Sequence, residues 1–126
     1  NKDTNEIVVI DYKATSNKND PDYVNSSAYY YKSYLRQLDF YCYLLKLNNF
    51  NVFKTGYWLI CNARDGNQKI FQGKLSFKTT LLSYNLKTDY IEDTLIQLKK
   101  CLEMEQPPNP GKYCDNCRWR NETKKF

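Results

Sequence analysis

Residues 7–13 read Ile-Val-Val-Ile-Asp-Tyr-Lys, and no other stretch limits the fold as tightly. Four consecutive β-branched residues lose rotamer freedom in a helix and suit a pleated strand. A strand apolar at every position of its first half is expected to be buried on both faces, as in the interior of a parallel sheet. The apolar run then breaks at Asp11 and Lys13. Two residues apart on a strand, these side chains share one face.

The rest of the chain follows a strand–helix–strand order. Residues 17–27, rich in Asn, Asp and Ser with Pro21 inside, predict a surface loop. Residues 28–47 predict a helix whose apolar stripe includes Tyr34, Leu38, Tyr41, Cys42 and Leu45, stopped by Asn48-Asn49. Residues 52–61 predict a second strand, and Asp65-Gly66 a turn into a third near 69–77, so this pair should form a hairpin. Residues 90–103 predict a second helix with Ile91, Leu95, Leu98 and Leu102 on one face. Pro107-Pro108 and Pro110-Gly111 end it, and a tail over 105–126 carries Cys114-x-x-Cys117. This order predicts an α/β chain with a mixed sheet, its first two strands parallel neighbours joined by a right-handed crossover.

Composition removes several functions. The chain has 126 residues, the size of one domain. It has no histidine, which excludes Ser-His-Asp and Cys-His catalysis and the His-Glu-x-x-His zinc proteases. No apolar run approaches the roughly 18 residues of a membrane span. The net charge of +5 mildly favours a polyanionic partner. The five cysteines follow no regular disulfide framework and no signal peptide opens the chain, so reduced thiols in the cytoplasm are expected. The chain opens on Asn1 rather than Met, so Asn1 is not expected to be the natural start.

Asp11 and Lys13 are the main candidates for chemistry. A carboxylate is a hard oxygen ligand suited to Mg²⁺. A neighbouring lysine can orient a water or neutralise charge growing on a phosphate. Taken alone, an Asp-x-Lys is more often two solvated charges at a strand end. Gln37 and Tyr41 lie one turn apart on the following helix and share a face, so that face can border the Asp-Lys end of the strand. The ordinary alternative places Tyr41 in the core and Gln37 in solvent.

At these residues the chain resembles a known family. Val8-Val9-Ile10-Asp11-Tyr12-Lys13-Ala14-Thr15 resembles the third motif of the PD-(D/E)XK nuclease superfamily in its RecB-like branch, and Gln37-Leu38-Asp39-Phe40-Tyr41 resembles the Gln-x-x-x-Tyr motif of that branch. The Pro-Gly-x-x-Cys-x-x-Cys segment is similar to the tails of RecB-like and CRISPR-adaptation exonucleases. The resemblance implies a restriction-endonuclease-like mixed central sheet flanked by helices, here a partial core. It also implies Mg²⁺- or Mn²⁺-dependent, exonuclease-type cleavage of DNA. Carried over by position, Asp11 is a metal ligand, the backbone carbonyl of Tyr12 completes the metal shell, Lys13 is the catalytic lysine, and Gln37 and Tyr41 are the accessory pair.

Two departures shape the expectation. The family places a second metal-binding Asp on the strand before the Asp-x-Lys strand, and only six residues precede Ile7. Asp3 and Glu6 fall where a connecting hairpin should be. Residues 1–126 are therefore expected to be one nuclease domain truncated at its N-terminus and inactive by itself, since one carboxylate holds Mg²⁺ poorly. The alternative is a nuclease-derived nucleic-acid-binding or assembly module without catalysis. In the tail, Cys114, Cys117 and the more distant Cys101 fall short of the four thiolates of a structural zinc or an iron–sulfur cluster, so a tail without metal is expected. Cys42 and Cys61 are expected to be packed thiols. Tyr30 and Lys32 at the helix start, with Arg118 and Arg120 in the tail, are candidate DNA contacts; solvated charges and packed aromatics are the alternative.

Overall fold

The computed structural model describes residues 1–18, 29–64, 73 and 75–123. The chain divides into two compact units, Asn1–Ile91 and Glu92–Phe126.

The first unit is a three-stranded sheet and a helix. Strand β1 spans Ile10–Thr15, helix α1 Tyr29–Leu47, strand β2 Thr55–Arg64 and strand β3 Ser76–Asn85. The strand order is β1-β2-β3. β1 runs parallel to β2, from Ile10 opposite Tyr57 to Thr15 opposite Asn62. β2 and β3 form the expected antiparallel hairpin, with Thr55 opposite Asn85 and Arg64 opposite Ser76. The mixed α/β sheet and the parallel first pair match the sequence expectation. The turn at 65–66 lies outside the described residues, as does most of the loop over 17–27.

α1 packs on one face of the sheet. Leu38 meets Val9, Trp58 and Ile60 in a buried cluster, with Tyr34, Leu45, Leu82 and Tyr84 around it. Trp58 also stacks on Tyr84, ring centroids 5.7 Å apart. α1 ends as Asn48-Asn49 predicts. Asn49 takes a left-handed φ of 62°. Its N–H donates to the Lys46 carbonyl at 3.0 Å and the Phe50 N–H donates to Leu45 at 3.1 Å. These two bonds form a Schellman cap, satisfying carbonyls the helix leaves open.

Several expectations are corrected. The first strand was expected over 7–13; its ladder starts at Ile10 and reaches Thr15. Ile7 instead makes an isolated parallel bridge to Val52, which lies before β2. Burial on both faces does not occur. Along β1 the side chains alternate, and Ile10 and Tyr12 are more than half exposed, because α1 covers only the opposite face. The third strand, expected near 69–77, is described from Ser76 and runs on to Asn85, since β2 offers a ten-residue edge for it to pair, while most of 69–75 lies outside the described residues. Tyr41 is half exposed rather than core. Cys42 is buried as expected, while Cys61 is only half buried, on the sheet face away from α1.

In the second unit, α2 spans Ile91–Leu102, opening on the last residue of the first unit. Ile91 is its one buried residue; Leu95, Leu98 and Leu102 of the predicted stripe are exposed. The tail was read without structure, yet Asp115–Thr123 forms helix α3.

Candidate active site

The Asp-x-Lys face of β1 and the Gln-x-x-x-Tyr face of α1 meet. Period-two alternation turns Asp11 and Lys13 toward α1, while Ile10 and Tyr12 face away. Lys13 Nζ lies 2.8 Å from Asp11 Oδ2. It donates to Gln37 Oε1 at 2.7 Å. Gln37 Nε2 in turn donates to the Tyr41 hydroxyl at 2.6 Å. The ammonium also sits over the Tyr34 ring, 4.3 Å from its centroid, a cation–π contact. The four residues form one continuous chain of contacts running from β1 onto α1.

The electrostatics of this chain are directional. The side chains of Lys13 and Asp11 are 17% and 12% exposed, so their attraction is screened far less than that of a surface pair. The close approach of Lys13 to Asp11 Oδ2 is an ion contact without the angle of a hydrogen bond, and this buried oxygen accepts no directed hydrogen bond. A buried carboxylate oxygen with lone pairs to spare fits a divalent cation as a ligand. The Tyr12 carbonyl could serve in the same way. Val9 O accepts from Tyr57 N at 2.9 Å, so alternation along β1 turns the Tyr12 carbonyl to the edge away from β2. Among the described residues, no three Asp, Glu, His or Cys side chains group to hold a metal. Asp11 could offer a cation one carboxylate, and no group of three such side chains among the described residues includes it.

Sequence reasoning did not single out Asp39, although it sits between Gln37 and Tyr41. Asp39 is 2% exposed. Its Oδ1 accepts the Lys87 N–H at 2.7 Å, and its Oδ2 accepts the hydroxyls of Tyr84 at 3.2 Å and Tyr90 at 3.0 Å. Burial, followed by the hydrogen bond to Asp39, pushes the Tyr90 phenol up to about 12. Burial and then the Asp39 charge drive the Tyr84 phenol higher still. Two residues on a helix are about 200° apart, so Asp39 points away from Gln37. It fastens α1 to β3 and the segment after it, while Gln37 faces β1. The available signal was an acid between Leu38 and Phe40, one turn before the core residue Cys42. Tyr34 was read only as core; it packs against the core and also lies under Lys13.

Lys32 is exposed on the first turns of α1; the side chain of Tyr30 lies outside the described residues. In the second unit, Arg118 pairs with Asp115 at 2.8 Å, and Arg120 is exposed in the last turn of α3. Cys101, Cys114 and Cys117 are all free, half-buried thiols.

A partial mixed sheet with an acid–lysine pair on a strand that is at the edge among the described residues is the restriction-endonuclease-like arrangement that the resemblance implied. The family model of the PD-(D/E)XK nuclease superfamily matches residues 1–121, and the chain belongs to that superfamily. Its members generally hydrolyse phosphodiester bonds in nucleic acids and typically use divalent metals. No curated protein and no solved structure gives a significant match. Among the described residues, no helix is long and apolar enough to cross a membrane.

Proposed function

We propose that the chain carries the Asp-x-Lys half of a DNA nuclease site of the RecB-like branch, exonuclease-type and using Mg²⁺ or Mn²⁺. The observation that carries this reading is the contact chain Asp11–Lys13–Gln37–Tyr41, joined by distances of 2.6–2.8 Å. Asp11 and the Tyr12 carbonyl would hold the cation, which would supply Lewis-acid polarisation of the phosphate and an acidified water. Lys13 sets its ammonium beside the scissile phosphate, where it stabilises developing negative charge. Gln37 fixes the lysine by accepting one of its three donors. Because Tyr41 accepts from Gln37, its own hydroxyl proton is left to donate to a phosphate oxygen. Lys32, Arg118 and Arg120, with Tyr30, contribute contacts to the DNA backbone, which makes binding salt-sensitive.

The second carboxylate comes from a strand seated beside β1. Among the described residues, β1 pairs only with β2, so its other edge is open. Next to it runs an apolar groove of about 410 Å³ lined by Val8, Ile10, Tyr41, Leu44 and Leu45, suited to the side chains of an added strand. On this reading residues 1–126 are most of one nuclease domain, completed by upstream residues or another polypeptide, with 105–126 as its cysteine-bearing tail.

The test is cleavage of linear DNA with and without Mg²⁺ by this chain and by the chain extended with its upstream coding residues. The expected result is cleavage only by the extended protein, reduced at least 100-fold in Asp11→Ala and Lys13→Ala (about 3 kcal/mol). Cleavage indifferent to both substitutions overturns the site. The lack of a three-ligand group among the described residues favours a second reading, a nuclease-derived DNA-binding module. Salt-sensitive DNA binding by an extended protein that never cleaves establishes that reading instead.

A further inference from the structure

Resting on the nuclease reading just given, we propose that Tyr34 is a positioning residue of the same site, its ring face steadying the Lys13 ammonium for the scissile phosphate. Tyr34 lies three residues before Gln37 on α1, so the two share a helix face. Both meet the same group on β1. Gln37 Oε1 accepts from Lys13 Nζ at 2.7 Å, and that nitrogen stands over the Tyr34 ring, 4.3 Å from its centroid. Asp11 Oδ2 makes the third contact at 2.8 Å. An amide, an aromatic face and an acid thus hold one ammonium.

The ring is itself held. Tyr34 packs against the buried cluster of Val9, Leu38, Trp58 and Ile60. Tyr31, one turn earlier on α1, lies beside it with ring centroids 6.3 Å apart and planes tilted by 48°. A ring seated in this way does not follow the lysine; the lysine is held where the ring stands.

The chemistry explains why an aromatic face suits this place. A lysine carries its ammonium on a flexible four-carbon stem, with much rotamer freedom to lose. Gln37 takes one of its three N–H donors. The negative face of the ring attracts the cation without adding a formal charge. A second carboxylate there would pair with the ammonium and compete with the phosphate. The uncharged ring fixes the ammonium and leaves its attraction for the charge that grows on the phosphate. Tyr34 therefore acts on the reaction through Lys13 and touches no reacting atom.

Packing alone is the ordinary reading of Tyr34, and it predicts something different. A residue that only fills space works equally well whatever the electron density of its ring.

Two measurements separate these readings. The first is NMR of the 126-residue chain. Protons over an aromatic face shift upfield, so the Lys13 ε-methylene protons should lie upfield in the wild type and in Tyr34→Phe, and return to the ordinary lysine position in Tyr34→Leu. The second is Mg²⁺-dependent cleavage of linear DNA by the protein extended with its upstream coding residues. Tyr34→Leu should lower kcat about tenfold with KM within about twofold, while Tyr34→Phe stays within about twofold of wild type in both. Phenylalanines bearing increasing numbers of ring fluorines at position 34 keep nearly the same size while drawing electrons from the ring face. Across that series kcat should fall stepwise, a trend that packing alone does not produce. The fluorinated series also covers the case in which Tyr34→Leu does not fold. Wild-type Lys13 protons without the upfield shift, Tyr34→Phe as slow as Tyr34→Leu, or a flat rate across the fluorinated series overturns the role of Tyr34; the site itself still stands if Asp11→Ala and Lys13→Ala abolish cleavage. An extended wild-type protein that never cleaves overturns the nuclease reading and this role with it.

Discussion

On the face of the sheet covered by α1, Leu38, Trp58 and Ile60 have no exposed surface, whereas on the other face Ile10, Tyr12, Phe77 and Leu81 keep more than half of theirs. The strands are the same and the side chains alternate between the two faces, so strand propensity cannot account for the difference. The helix does. Its Leu38 fills the core, its Gln37 reaches Lys13, and its Asp39 collects three donors from β3 and the segment beyond. Polar groups on that face are low in exposure and largely paired, and the candidate site is built there. The opposite face holds apolar area without comparable packing from the first unit. The contrast teaches that this sheet derives its stability, and the precision of its site, from one side.

Substitution across the two faces breaks the comparison if it is wrong. Trp58→Ala removes a fully buried ring that packs on Leu38 and Tyr84, and should cost about 3–5 kcal/mol by urea unfolding. A cost below about 1 kcal/mol would show that the α1 face does not carry the fold. Asp39→Ala comes next. It leaves the Tyr84 and Tyr90 hydroxyls and the Lys87 N–H without their acceptor, and should cost about 2–4 kcal/mol.

Alkaline titration sharpens the same feature. The phenols of Tyr84 and Tyr90 are raised in the fold, Tyr90 from 10.0 to about 12. Raised phenols stabilise the fold fully below the unfolded value, and this contribution fades as pH climbs from about 10 through about 12. Stability followed by circular dichroism should fall over that window in step with phenolate absorbance. Loss of stability well below pH 10 would place its cause elsewhere.

Smaller effects belong to the site and to the open face. Gln37→Ala should cost about 1 kcal/mol of stability, the worth of one brace, while lowering cleavage by a complete nuclease about tenfold. An unchanged rate would remove Gln37 from the machinery. Leu81→Ser, on the exposed face, should change stability by no more than about 0.5 kcal/mol. A cost near that of Trp58→Ala would mean that this face is covered and packed in solution.

The candidate site was legible because its spacing is local. Asp11 and Lys13 share a face by the two-residue period of a strand, and Gln37 and Tyr41 by the turn of a helix; the short order of elements left few ways to arrange them. The Asn48-Asn49 stop was legible for a similar reason, since a left-handed cap favours asparagine. Asp39 was not, because its partners lie 45–51 residues away in sequence. The end of β3 at Asn85 and the helix within the tail were missed as well. One depends on how far β2 offers an edge, and the other is a short polar helix that buries no residue and so has no apolar stripe to announce it.

The amino-acid sequence by itself determined a strand through Ile10–Lys13, the helix after it and the placing of an acid and a lysine on one strand face, because each follows from side-chain periods of two and 3.6 residues. Only the tertiary structure decided which face of β1 would be buried, and that Lys13, Asp11 and Gln37 would bond to one another rather than to water. An apolar run does not record which side a helix will cover. A hydrogen bond between residues 24 apart exists only once the packing of α1 on the sheet has brought them within reach.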